Sequence, residues 1–134
     1  MLTPDLLDTL AGGTLTDGAH RVLLVAADAA GNASVPVDLA FTLDTQAPAA
    51  PTIDLVEASD SGTSATDDLT NDATPTLALT AEAGSEIALF RDATPVGIGL
   101  SGPHAEFTAA ALADGTYTFR ARARDDAGNR SASS

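Results

Sequence analysis

Apolar and polar residues alternate along most of this chain with a period of two, and almost nowhere with the 3.6 of a helix. Between Ser34 and Leu43, Val35, Val37, Leu39, Phe41 and Leu43 alternate with Pro36, Asp38, Ala40 and Thr42, which predicts a strand with one buried face. Ala19–Asp28 predicts the strand before it, with His20, Val22, Leu24 and Ala26 on one face. Leu23 and Val25 lie on its other face, which suggests cover on both sides. Ala30-Gly31-Asn32 is the tight turn between them, since Gly and Asn accept left-handed backbone angles. Pro36 suggests a sheet edge for this hairpin.

Further along, Thr52–Val56 reads as a short strand, followed by a long polar loop, Glu57–Asp72. Loops of that length are usually ordered by something specific or are mobile. Strands are then expected at Thr74–Ala81, Glu86–Arg91, Val96–Leu100, Ala105–Ala110 and Thr116–Asp125. Ala83-Gly84, Asp92-Ala93, Ser101-Gly102-Pro103 and Asp114-Gly115 separate them. In the last strand Tyr117, Phe119, Ala121 and Ala123 face in, while Thr118, Arg120, Arg122 and Arg124 face out as a solvated stripe. Many short alternating strands with frequent turns indicate an all-β sandwich. Leu2, Leu6, Leu7 and Leu10 fit a short helical face or a strand equally well.

The chain also repeats itself. Leu112-Ala-Asp114-Gly115 and Asp125-Asp-Ala-Gly128-Asn129-Arg-Ser131 stand 97 positions after Leu15-Thr-Asp17-Gly18 and Asp28-Ala-Ala-Gly31-Asn32-Ala-Ser34, without a gap. That period is too long for a solenoid and fits a whole small domain. Residues 1–43 are therefore expected to be the C-terminal part of one unit. Residues 44–51 form a linker stiffened by Pro48 and Pro51. Residues 52–134 form the next unit, ending before the strand that follows the Gly-Asn turn in the first copy. The favoured explanation is a sequence window cut at an arbitrary register; the alternative is a strand edge that pairs with another copy of the chain, with hairpin 19–43 as the donor.

Composition narrows the function. Aromatic residues make up only 4% of the chain, so the core must be built from Leu, Val, Ile, Ala and Phe. There are 19 acidic against 6 basic residues, a net charge of −13, which argues against a nucleic-acid partner and against an anionic bilayer. A multivalent cation suits such a surface; solubility alone would also account for it. The absence of cysteine excludes disulfides, thiolate metal sites and cysteine nucleophiles. No apolar run is long enough to span a membrane, and Met1-Leu-Thr-Pro-Asp shows no signal-peptide pattern.

No catalytic constellation stands out, so no enzyme is expected. His20 occupies the position of Tyr117 in the repeat and reads as a packing residue; His104, after Gly102-Pro103, reads as an exposed loop residue. There is no nucleophile elbow and no phosphate-binding glycine loop.

Asp44-Thr-Gln-Ala-Pro48, the Ser59–Asn71 loop, Thr74-Pro75-Thr76, Thr80-Ala-Glu-Ala-Gly84-Ser85, Leu112–Gly115 and Asp126-Ala-Gly-Asn129 occur in that order. Together they resemble the bacterial immunoglobulin-like repeats of giant secreted adhesins of the biofilm-associated and RTX type, over residues 14–134. Residues 85–110 are less typical, Arg91 and Pro103-His104 falling where the family often has small polar residues. The resemblance implies a seven-stranded sandwich strung into an extracellular rod at a bacterial surface, and Ca²⁺ at or near the junctions between neighbouring repeats. In such a topology Asp125, Asp126 and Asn129 would approach Asp44 of the linker, with Asp17 of the preceding unit. Asp60, Asp67, Asp68 and Asn71 would serve the opposite end of the second unit, and Asp28 the entry end of the first. Ca²⁺ takes six to eight oxygens, so each site would draw on separate loops. The competing account of these residues is turn capping, in which Asp and Asn side chains accept from their own backbone amides. The leading expectation is a non-enzymatic extender segment stiffened by Ca²⁺. A glycan- or protein-binding immunoglobulin-like module and an immunoglobulin-like spacer of a secreted hydrolase are the alternatives.

Overall fold

The computed structural model describes residues 12–134 and contains eight strands and no helix among them. The face formed by Leu2, Leu6, Leu7 and Leu10 lies outside the described residues. The chain divides into two compact units between Gln46 and Ala47.

In the first unit β1 (Gly18–Leu24) and β2 (Val37–Leu43) form one antiparallel hairpin, in register from Gly18 opposite Leu43 to Leu24 opposite Val37. Both strands are shorter than the alternation predicts. Beyond Leu24 the ladder is broken, and only an Ala27–Ala33 bridge remains before the turn. The cause is local. Ser34 places its hydroxyl where a backbone acceptor would sit and takes the Ala26 N–H at 3.0 Å, and Pro36 has no N–H to offer. Among the described residues no second sheet covers this hairpin, and Leu23 is 60% exposed and Leu24 66%.

The second unit is a two-sheet sandwich. One sheet runs β3 (Thr52–Leu55), β4 (Thr76–Thr80), β7 (His104–Thr108). The other runs β6 (Thr94–Ser101), β5 (Glu86–Arg91), β8 (Phe119–Arg124), and all pairs are antiparallel. Alternation explains which residues face inward. Leu77 and Leu79 of β4, Ile87 and Leu89 of β5, and Ala121 of β8 form the buried core, ringed by Ile53, Leu55, Val96, Leu100, Phe107 and Phe119. Small residues on β8 let the sheets close over so few large side chains. Arg120, Arg122 and Arg124 point outward, as the pattern requires.

β6 carries two register shifts against β5. At the first, Gly99 is the extra residue between Ile98 and Leu100, with φ of 77°, a left-handed bulge conformation that glycine adopts without strain. His104 opens β7 opposite Thr80, so it is a strand residue rather than the loop residue its Gly-Pro context suggested. Pro48 and Pro51 are buried, and the Ala49 N–H donates to Glu82 Oε2 at 3.2 Å, which ties the start of this unit to its own β4–β5 turn.

Candidate functional site

The acid-rich turns that close each copy of the repeat have the same bonding. Asp28 Oδ1 accepts the N–H groups of Ala30 and Asn32, each at 2.9 Å, and Oδ2 accepts Asn32 Nδ2 at 2.8 Å. Asp125 Oδ1 accepts the N–H groups of Gly128 and Asn129 at 2.7 and 2.8 Å, and Oδ2 accepts Asn129 Nδ2 at 2.9 Å. Main-chain bonds lock both loops: Asp28 N to Asn32 O and Gly31 N to Asp28 O in one, Asp125 N to Asn129 O and Gly128 N to Asp125 O in the other. Gly31 and Gly128 have φ of 89° and 99°, the left-handed value that turns the chain back. Ala123 N donates to Ser131 Oγ at 2.8 Å as Ala26 N does to Ser34, and Ser131 Oγ donates onward to Ala132 O as Ser34 does to Val35 O.

A second pair of equivalents sits at the start of the same strands. Tyr117 donates its hydroxyl to Ala113 O at 2.9 Å, the four-residue reach of a tyrosine corner. His20 makes the corresponding bond, Nε2 to Thr16 O at 2.7 Å, and its ring stacks on Phe41 with centroids 5.3 Å apart. The imidazole is thus a structural donor and a packing surface. Tyr117 lies under the Arg91 guanidinium, 5.8 Å from the ring centroid.

These bonds set the charge state of the turn acids. The Asn32 side chain and main chain hold the Asp28 carboxyl below its ordinary range. For Asp125 burial pushes the carboxyl upward, but the donors of Asn129, Gly128 and Ala127 together outweigh it and the net shift is downward. Asp72 is lowered by the Thr74 amide and the Ser59 hydroxyl. A carboxyl whose pKa is lower folded than unfolded contributes stability that is full above the unfolded value and is lost as pH falls through the folded one. Thermal melts of the chain are therefore expected to hold steady from neutral pH down to the ordinary carboxylate range and to fall below it. The Asp125→Asn chain should lose part of that acid dependence.

The other acids expected to bind metal are distributed as follows. Asp17 Oδ1 accepts the Thr45 N–H and hydroxyl at 3.0 and 2.9 Å. Asp44 Oδ1 accepts the Gln46 N–H at 3.0 Å. Asp67 Oδ1 takes the Leu69 N–H, Asp68 sits at φ of 58°, Asn71 accepts the Ser61 hydroxyl at 2.7 Å, and Asp126 is exposed. The long loop is ordered by its own polar groups. Ser59 Oγ donates to Asp72 Oδ2 at 2.9 Å and accepts from Thr76 N, while Gly62 N donates to Leu69 O. Asp60 differs from the rest: it is buried at 4% exposure, and its Oδ1 has no hydrogen-bond partner among the described residues.

Among the described residues no three His, Cys, Asp or Glu side chains converge closely enough to hold a metal ion. Asp60 Oδ1 is the one buried side-chain oxygen left without a hydrogen-bond partner among the described residues. Two structural roles were missed in the sequence. Ser34 and Ser131 stand at the same place in both copies, three residues after the glycine, and that coincidence was their signal. The corner bond of Tyr117 had a weaker signal, since His at its equivalent obscures it.

Between β3 and β8 of the second unit lies a groove of about 610 Å³, lined by Ile53, Leu55, Leu77, Leu112, Tyr117 and Phe119 with Asp68 and Leu69 at its rim. No curated protein is similar enough to match the chain. Residues 47–134, the whole of the second unit, match the sequence model of a family described as bacterial Ig-like domain. With more than half its length so matched, and a sandwich folded from the matched residues, the chain belongs to the bacterial Ig-like domain family.

Proposed function

We propose that this chain is a non-enzymatic extender segment of a bacterial surface or secreted repeat adhesin, its work being to set reach outside the cell. The observation that carries this reading is the turn bonding shared by residues 28–34 and 125–131, 97 positions apart. Two units that end in the same hydrogen bonds behave as copies of one part in a series, and a series of sandwiches is a spacer. The acidic surface would keep such a series soluble and apart.

Ca²⁺ enters the proposal as a stiffener between neighbouring units. Its support is the orphaned carboxylate oxygen of Asp60 and the chemistry of Asp17, Asp28, Asp44, Asp67, Asp68, Asn71, Asp125 and Asp126, all oxygen donors suited to that ion. Further ligands would come from a neighbouring unit.

The test is to stretch single head-to-tail polymers of residues 38–134, in calcium and in chelator. The extender reading expects stepwise unfolding in both. The calcium reading expects a stiffer low-force response in calcium only. Steps that persist without any calcium effect would remove the ion and leave the spacer.

A further inference from the structure

The two copies of the repeat build one pair of equivalent positions from opposite chemistry. The bridge that closes the acid-rich turn joins Ala27 to Ala33 in the first copy and Arg124 to Arg130 in the second. Directly opposed residues share a face, and like charges there are destabilising. The alanine pair closes a turn with the same bonding, so the turn itself does not call for the arginines. Arg122, two residues before Arg124 on β8, adds a third guanidinium to the face, where the first copy has Val25. None of the three forms an ion pair among the described residues, although Glu86 of β5 stands directly opposite Arg124. Half of the 6 basic residues of a chain of net charge −13 are thus gathered in one place without a carboxylate partner.

The three border a shallow depression of about 260 Å³ on the outer face of the β6–β5–β8 sheet. Its floor is apolar. Ala88 and Phe90 of β5 are half-buried, and Ile98, opposite Ala88 on β6, is 73% exposed. Glu86 stands at the rim. A strand added beside β8 would widen this face and leave it uncovered.

We propose that the depression binds a sugar residue carrying a ring carboxylate, as one unit of an acidic glycan. The guanidinium is a planar fork that takes a carboxylate through two parallel hydrogen bonds, and here it would relieve the repulsion of Arg124 and Arg130. The apolar floor suits the C–H face of a pyranose ring. The Glu86 carboxylate can accept from ring hydroxyls. The volume lies just below the ~300–1,000 Å³ of sites for drug-sized ligands and has room for a single ring. An acidic peptide would also satisfy the arginines, but it has no hydroxyls for Glu86 and meets it as a like charge, which selects against that partner.

The experiment uses the whole chain in chelator, so that calcium cannot bridge acids of protein and sugar. Heteronuclear NMR follows the arginine side-chain N–H groups and the amides of Ala88, Ile98 and Ala123. Trigalacturonate should shift these signals and saturate in the millimolar range, and neutral maltotriose should not. Arg122→Gln should weaken binding at least ~tenfold, the loss of a charged hydrogen bond. Arg21→Gln, which removes the same charge from the other unit, should change it less than ~twofold. Both arginines are exposed, so each variant should fold, and its melting midpoint checks this. Triglutamate should bind more weakly than trigalacturonate, and Glu86→Ala should narrow that gap. No shift with trigalacturonate, equal shifts with maltotriose, tighter binding of triglutamate, equal losses in the two arginine variants, or a gap that Glu86→Ala leaves unchanged would each overturn the proposal.

Discussion

Leu89→Ala is expected to destabilise unit 47–134 by about 2–5 kcal/mol, the range for removing a fully buried leucine where the surroundings cannot collapse. Leu89 is 0% exposed at the centre of β5, between Gly97 and Ala121. Neither neighbour can fill the space: both are already minimal, and a Cβ on Gly97 would lie 3.2 Å from Leu100 and 3.3 Å from Phe107. The loss is large beside the total. A domain of this size holds roughly 5–15 kcal/mol, and each kcal/mol moves its melting midpoint by roughly 4–8 °C. Ile98→Ala is the matched control. Ile98 lies on the neighbouring strand but is 73% exposed, and its removal should cost under about 0.5 kcal/mol. Urea titrations of the two variants measure both values. Equal losses would mean that the buried cluster does not hold the sandwich together.

Ser131→Ala is expected to cost about 1–3 kcal/mol, and Ser34→Ala under about 0.5 kcal/mol, although the two hydroxyls make the same bonds. The contrast comes from burial. Ser131 is 8% exposed and its acceptor role serves the N–H of Ala123, itself 1% exposed. Without the hydroxyl that buried N–H loses its acceptor. Ser34 and Ala26 are exposed, so water replaces the lost oxygen. Denaturation of each variant measures the cost, and amide exchange at Ala123 should quicken only in Ser131→Ala. Threonine at position 131, which keeps the hydroxyl, should recover part of the loss. Similar costs at both serines would refute the role assigned to burial.

Period-two alternation located every strand of the second unit, because one face of each is apolar and packs inward. It overran strand ends in both units, as in Thr116–Asp125, where only Phe119–Arg124 is strand. Alternation reports which face is apolar, not where a side chain displaces a backbone acceptor, and at Ser34 and Ser131 that displacement ends the regular ladder. The 97-residue echo was more informative than any motif. It equates His20 with Tyr117, and both reach back four residues to a carbonyl. The acids were harder to read. Asp28 and Asp125 look alike whether they bind an ion or their own turn, and the structure shows their oxygens accepting turn amides. Asp60 carried no special mark among the acids of its loop. Only its burial, which depends on how Glu57–Asp72 folds against the sandwich, sets it apart.

The extender account is tested most directly by pulling a head-to-tail polymer of residues 38–134. Joined in this way, Asp38 follows Ser134 at the position the repeat assigns to it, and each unit regains the strand beside β8. The account predicts a series of discrete unfolding events, each releasing about 300 Å, the extended length of one 97-residue repeat at roughly 3.4 Å per residue less its folded length. A smooth extension without steps, or steps of unrelated length, would contradict it.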